Sequence, residues 1–199
     1  MFGEFAIDNG QQAVTVFAQG CSRNINPACG QSEMWREKAA VFAEAAVDAA
    51  QRAVPIQGPV PVSYDRRHVL VPRRDPADQR AGAITRLGWR RESFESAEKG
   101  MAKLPDTREV PVSAARIAPL GIATNAGELF VEWGIDIKKR SPVPHTIVCG
   151  PTNDWIGYEP TAQAFAHEGH EALAGVNFVS LKGIKNLVNT ALERLVSER

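Results

Sequence analysis

Three kinds of side chain in the stretch from Thr124 to Glu171 have types and spacing suited to chemistry. Glu128 follows Gly127 at the start of a predicted helix, and glycine permits a tight turn and a close backbone approach. A carboxylate in a first helical turn is favoured by the dipole and stays ionised, which suits a metal ligand; first-turn capping is the plainer reading of the motif alone. Tyr158 lies between Gly157 and Pro160 in a bent loop. A loop phenol packs by default, and it can also donate to an oxyanion or ligate a metal as the phenolate. Asn153 and Asp154 just before it suit a turn cap or an orienting contact. The third group is His167-Glu168-Gly169-His170-Glu171. A zinc protease helix needs two histidines four apart; here they are three apart and Glu171 holds the fourth place. Two histidines at i, i+3 could share a metal, while a solvated helix end is the plainer reading. No Ser-His-Asp arrangement and no phosphate-binding glycine loop accompanies these groups.

Composition narrows the class. The chain has 199 residues, 44% hydrophobic and 23% charged, with a formal net charge of zero, values that fit a globular core rather than disorder. A nucleic-acid protein usually carries a basic excess, so no nucleic-acid partner is expected. Arg66-Arg67, Arg73-Arg74 and Arg90-Arg91 read as solvated surface. Three cysteines, without CxxC or zinc spacing, read as reduced structural thiols, although Cys21 and Cys29 could meet. No apolar stretch approaches the ~18 residues of a membrane span. The first residues lack a basic region followed by an apolar run, which places the chain in the cytoplasm if Met1 is the true start.

The elements that would position these groups alternate between strand and helix. Ala13 to Ala18 reads as a buried strand running into the turn-rich loop Gln19 to Pro27. Gln31 to Val54 reads as a helix with Ser32 as N-cap and the stripe Trp35, Ala39, Phe42, Ala46 and Ala49, stopped by Pro55. Val60 to Tyr64 and His68 to Val71 are two short strands, placed by their prolines at an edge. Asp75 to about Lys103 is a polar helix with Pro76 at its first position. Arg108 to Leu120 alternates as a strand or hairpin, extended by Gly121 to Thr124. Glu128 to Arg140 is a helix with Leu129, Trp133 and Ile137 on one face. His145 to Cys149 is a central strand, Ala162 to Ala174 a short helix broken near Gly169, and Phe178 to Leu181 a strand. Ile184 to Val196 is a terminal amphipathic helix. The fold class is α/β, a mixed sheet with helices packed on it.

At Gly127-Glu128-Leu129-Phe130, Asn153, Tyr158, Thr161 and Glu168-Gly169-His170-Glu171 the chain resembles the neutral/alkaline (non-lysosomal) ceramidase family. Phe17 to Pro27 resembles the apolar strand and G-D-x-S/N-P loop of that family. The likeness covers most of the chain, in order. It implies a single partial domain, residues 1–199, equivalent to the second half of a ceramidase catalytic domain. It also implies a zinc-dependent hydrolase of ceramide or a related N-acyl lipid amide. Glu128 matches the family's glutamate zinc ligand and Tyr158 its tyrosine ligand. His170 falls where ceramidases carry a tyrosine near the scissile amide. Asn26 replaces the loop serine, and Arg23-Asn24 its Gly-Asp. None of His68, His145, His167 or His170 matches the two histidine ligands, which belong to an N-terminal half; the family's immunoglobulin-like domain has no counterpart either.

Three expectations follow. Glu128 and Tyr158 converge at one edge of the sheet. The Gly20 to Pro27 loop lines that edge, with Asn26 presenting an amide that can orient a carbonyl but cannot act as nucleophile. Zinc binds weakly or not at all, and the isolated chain is inactive. The alternatives are a catalytically silent α/β domain serving as a binding or assembly module, and a small zinc protein using Glu128, Tyr158 and His170.

Overall fold

The computed structural model describes residues 2–6, 12–26, 35–75, 91–167, 169–173 and 175–196. They divide into two compact units, Met1–Ala18 with Ile25–Val60, and Gln19–Asn24 with Pro61–Arg199. In the first unit, β1 (Phe2–Ala6) and β2 (Gln12–Val16) form an antiparallel hairpin, and α1 spans Trp35–Gln51. The sequence suggested a buried strand up to Ala18. Instead β2 pairs only with β1 among the described residues, and Val16 and Phe17 at its end are exposed. The stripe of α1 exists as a helical face, but no residue of that helix is buried. Ser32 lies outside the described residues.

The second unit is built around a four-stranded sheet in the order β3 (Val62–Pro72), β4 (Thr107–Ile117), β5 (Leu120–Thr124), β7 (His145–Cys149). Strands β3, β4 and β5 run antiparallel and β7 parallel to β5, so the sheet is mixed, as the alternating pattern implied. The two strands expected between Val60 and Val71 are one. The ladder to β4 continues unbroken from Val62–Ile117 to Pro72–Thr107, and of the polar run Asp65-Arg66-Arg67 that seemed to divide it both arginines are exposed. Among the described residues β3 takes an edge position, which its prolines suit. β7 is also at an edge among the described residues, not central, and Ile147 on it is exposed.

One helix closes the main face. In α5 (Leu181–Val196) the residues Ile184, Leu187, Val188, Ala191, Leu192 and Leu195 are all buried, against β3, β4 and β5. They meet Val110, Val112 and Ala114 of β4, spaced by two and so on one side of the strand. Fully burying a leucine, isoleucine or valine side chain contributes roughly 1.5–3 kcal/mol, and these five with Ala191 fix the helix on the sheet. Gly183 lets the first turn approach, since a Cβ there would stand 2.5 Å from Val71. Helix α2 (Arg91–Ala102) follows the undescribed residues 76–90, which hold most of the predicted N-terminal turns of the Asp75 helix.

Two elements differ from expectation near the candidate site. Glu128 does not open a helix. Glu128–Leu129 form a two-residue strand, β6, parallel to β8 (Tyr158–Glu159), and α3 begins at Val131 and runs to Arg140. The amide of Glu128 donates to the Gly157 carbonyl at 2.9 Å and that of Phe130 to Glu159, so ladder bonds take the groups that a first helical turn would have left open. The helix expected over Ala162 to Ala174 is α4 (Ala162–His167) followed by a 3-10 turn, His170–Ala172. Glu168 and Ala174 are outside the described residues. Phe178 to Leu181 forms no strand; Val179 makes a single bridge to Arg73.

Candidate functional site

Parallel strands β5 and β7 end together at the Thr124–Cys149 pair, and the loops leaving those carboxyl ends build the site, where open α/β sheets place their ligands. Asn125 ties the two loops. Its amide donates to Cys149 at 2.8 Å, its carbonyl accepts from Thr152 at 2.8 Å, and its side-chain oxygen accepts from Gly127 at 2.8 Å. The chain then turns through Gly127 into β6. The close approach expected of Gly127 is real: a Cβ there would lie 2.4 Å from Cδ of Glu159. Gly157, at φ +80°, supplies the bend before Tyr158, a region that favours glycine.

Glu128 and Tyr158 are direct register partners across β6 and β8. A third residue completes them. Arg23 Nε lies 2.7 Å from Glu128 Oε2, a second guanidinium nitrogen donates to the Tyr158 hydroxyl, and the guanidinium carbon sits 4.1 Å from the centre of the Tyr158 ring. The other carboxylate oxygen, Oε1, accepts from the indole N–H of Trp155 at 2.8 Å. Both oxygens of Glu128 are therefore engaged, one by a cation and one by an indole.

Arg23 is delivered by a docked loop. The carbonyl of Gln19 accepts from Gly150 at 3.0 Å, and the Arg23 amide donates to Leu129. Asn24 Oδ1 accepts from the Val131 amide at 2.8 Å and its Nδ2 donates to Glu132 at 2.8 Å. Helix α3 has no capping side chain at Phe130, so Asn24 supplies from a distant loop the acceptor that an N-cap normally gives. Cys21 packs on the same helix, where a Cβ at Gly134 would stand 2.8 Å from its sulfur. Burial, and next the Glu159 carboxyl, push its thiol up to about 11.

Glu159, beside Tyr158 on β8, points inward. It is fully buried and neither carboxyl oxygen has a hydrogen-bond partner of good geometry among the described residues. Burial pushes its pKa up to about 8, while the nearby Asn125 amide works in the opposite direction. At neutral pH this carboxyl is mostly protonated.

Gln19, Gly20, Ser22, Arg23, Glu128, Gly150 and Pro151 surround a polar cleft of about 240 Å3. Ser22 reaches it, but the hydroxyl accepts from the Gln19 amide at 2.5 Å, a group that cannot take its proton. The Tyr158 hydroxyl accepts from Arg23 and keeps a proton to donate. The arrangement can hold a carbonyl or anionic oxygen through Arg23; among the described residues it has no base-activated nucleophile.

The structure brings together Glu128 and Tyr158, and His170 meets Tyr158 edge-on, ring centres 6.1 Å apart. Asn26 belongs to the first unit, where it is exposed, and Pro27 is outside the described residues; the loop of the second unit that lines the cleft is Gln19–Asn24. His68, His145 and His167 lie elsewhere and are exposed. Sequence reading noted Arg23 and Asn24 only as replacements in a loop motif, and it passed over Trp155 and Glu159. A zinc ion does not fit the described residues. They offer one carboxylate and one phenol with the His170 ring beside the phenol, the guanidinium of Arg23 stands between the two oxygens, and no group of three or more His, Cys, Asp or Glu converges among them.

No family model matches the sequence and no curated protein matches it. Among solved structures, neutral ceramidase from Pseudomonas aeruginosa aligns with 87% of this chain and 34% of its own, at a TM-score of 0.54 and 15% identity. The chain has a ceramidase-like fold. It spans about a third of that neighbour's length. A ceramidase complexed with C2 aligns with 46% of this chain and 15% of its own, at a TM-score of 0.40 and 18% identity.

Proposed function

We propose that the chain is the second-half portion of a ceramidase-like amide hydrolase domain, and that on its own it is catalytically silent because Arg23 closes the centre formed by Glu128 and Tyr158. The observation that carries this reading is the parallel Glu128–Tyr158 pair with one guanidinium on both side chains. The fold supports the hydrolase class, and an N-acyl lipid amide such as ceramide is the substrate class of the completed domain. A completed domain would need a histidine-bearing segment from outside these residues and an outward swing of Arg23.

The departures from the family pattern argue for silence in the chain as it stands. Asn26 offers no hydroxyl nucleophile. The position where the family sequence has a glycine holds Arg23, a permanent cation. A protein cation beside Glu128 satisfies the carboxylate in the way a metal would, without the open coordination position that catalysis requires. The chain then serves as a binding or assembly module through the same fold.

The test is hydrolysis of a fluorogenic ceramide by the purified 199-residue chain with added zinc. No turnover is expected. Turnover that disappears in Glu128→Ala would overturn the silent reading and leave the family assignment standing.

A further inference from the structure

Helix α5 covers one face of the four-stranded sheet and leaves the other open. Register assigns the two faces. Val69 pairs with Val110, and Ala114, Ala123 and Val148 follow one another across β4, β5 and β7. All are buried in one cluster with the stripe of α5. The side chains between them point the opposite way. Two ladder rows cross that second face, one through Val62, Ile117 and Leu120, the next through Tyr64, Ile122 and Ile147. Val62 is 69% exposed, Tyr64 64%, Ile147 44% and Ile117 36%.

A sheet with one face in water normally turns polar residues outward. This one turns out aliphatic and aromatic residues, adjacent to one another over all four strands. A contiguous apolar patch of that kind marks an interaction surface, because an apolar sheet face is buried against another layer. The row beyond, Arg66, Ser113 and Thr124, is polar and internally bonded. The Tyr64 hydroxyl lies 3.0 Å from Ser113 Oγ, and the Ser113 amide donates to Thr124 Oγ1 at 3.0 Å. The face therefore has an apolar centre and a satisfied polar rim, the anatomy of an interface.

We propose that this face joins two copies of the chain into a homodimer, packed sheet on sheet. Apart from His145 at one corner, the two apolar rows carry no charged side chain. The chain has a formal net charge of zero, so copies meet without long-range repulsion, a condition that favours self-association. A face that meets its own copy about a two-fold axis closes as a dimer and leaves nothing to propagate. Size agrees. Strands β3 and β4 have eleven residues each, β5 and β7 five each. At about 3.4 Å per residue and about 4.8 Å between strands the footprint is on the order of 500 Å2. The ridged side-chain surface over it is larger, approaching the ~800 Å2 per partner of a stable interface. The dimer rests on the sheet and not on Arg23, Glu128 or Tyr158, so zinc binding or turnover leaves it standing.

Sedimentation equilibrium of the purified chain at micromolar concentration tests the proposal. A mass twice the 21.6 kDa of one chain is expected. Ile147→Lys and Val62→Lys each place a charge in the apolar centre, which is unfavourable when buried. Each should weaken the dimer by at least about tenfold with an unchanged circular dichroism spectrum. Phe42→Lys alters a 78% exposed residue of α1, the rival apolar surface, and should leave the mass doubled. A monomeric or larger mass, a dimer that persists in both folded sheet variants, or a dimer lost in Phe42→Lys would overturn it.

Discussion

Glu128 and Tyr158 face each other across a two-residue parallel ladder, although thirty positions separate them in the chain. Hydrogen bonds from β6 to Gly157 and Glu159 set that register, and the docked Gln19–Asn24 loop brings Arg23 to both side chains. The relationship is a property of backbone pairing first and of side-chain chemistry second.

Arg23 holds the loop to the pair. Arg23→Ala removes a half-exposed ion pair and the stacking on Tyr158, a loss of about 1 kcal/mol, which lowers the melting temperature by about 2–4 °C. Arg23→Lys keeps the charge but not the fork or the flat face, and recovers only part of it. Thermal unfolding reads both; an unchanged midpoint in Arg23→Ala would mean that the bridge contributes nothing.

Gly127 is required for space. Gly127→Ala places a Cβ 2.4 Å from the buried Glu159 side chain, and overpacking of this kind costs about 1–3 kcal/mol. Gly100→Ala in α2 meets nothing within 4 Å and should stabilise by about 0.5–1 kcal/mol, as glycine in a helix interior is the poorer residue. Urea unfolding of the two variants should shift in opposite directions.

Glu159 makes stability depend on pH. Its folded pKa of about 8 lies above the ordinary 4.5, so the folded state binds more protons between those values and stability falls as pH rises through that window. The contribution is fully present below the unfolded pKa and lost above the folded one. Glu159→Gln should flatten this slope and unfold at higher urea than the parent at pH 9. A parent protein equally stable at pH 5 and pH 9, with Gln showing the same profile, would contradict the buried-acid account.

Cys21 should resist alkylation. With its thiol pushed up to about 11 from 9.0, the thiolate fraction at pH 8 falls about a hundredfold, and the thiolate is the nucleophile. Site-resolved mass spectrometry after iodoacetamide should find Cys21 labelled at least that much more slowly in native protein than in urea. Comparable rates would place Cys21 at the surface.

The sequence made the second unit legible where periodicity was strong. The stripe of α5 came directly from spacing, because it has one continuous apolar face, and the alternation over Arg108 to Thr124 marked strand there without separating β4 from β5. Length misled at β3, where an exposed polar run looked like a break, although an edge strand tolerates polar residues on its open face. Glu128 misled for another reason: a glycine and a carboxylate before an apolar helix fit a helix start, and only a partner strand thirty residues away turns them into β6. Arg23 was visible as a residue but not as a partner, since nothing local marks which carboxylate a loop cation will meet. Glu159 could not be found at all, for a carboxylate next to Pro160 reads as surface until the packing of Gly127 buries it.

The central claim is that a protein cation, Arg23, occupies the place between Glu128 and Tyr158. Zinc titration of the purified chain against a competing chelator tests it most directly. A free phenol has a pKa near 10, and a carboxylate already paired with arginine is a poor ligand, so the account predicts affinity no better than micromolar, unchanged in Glu128→Ala. Stoichiometric binding at nanomolar zinc that is lost in Glu128→Ala would contradict it.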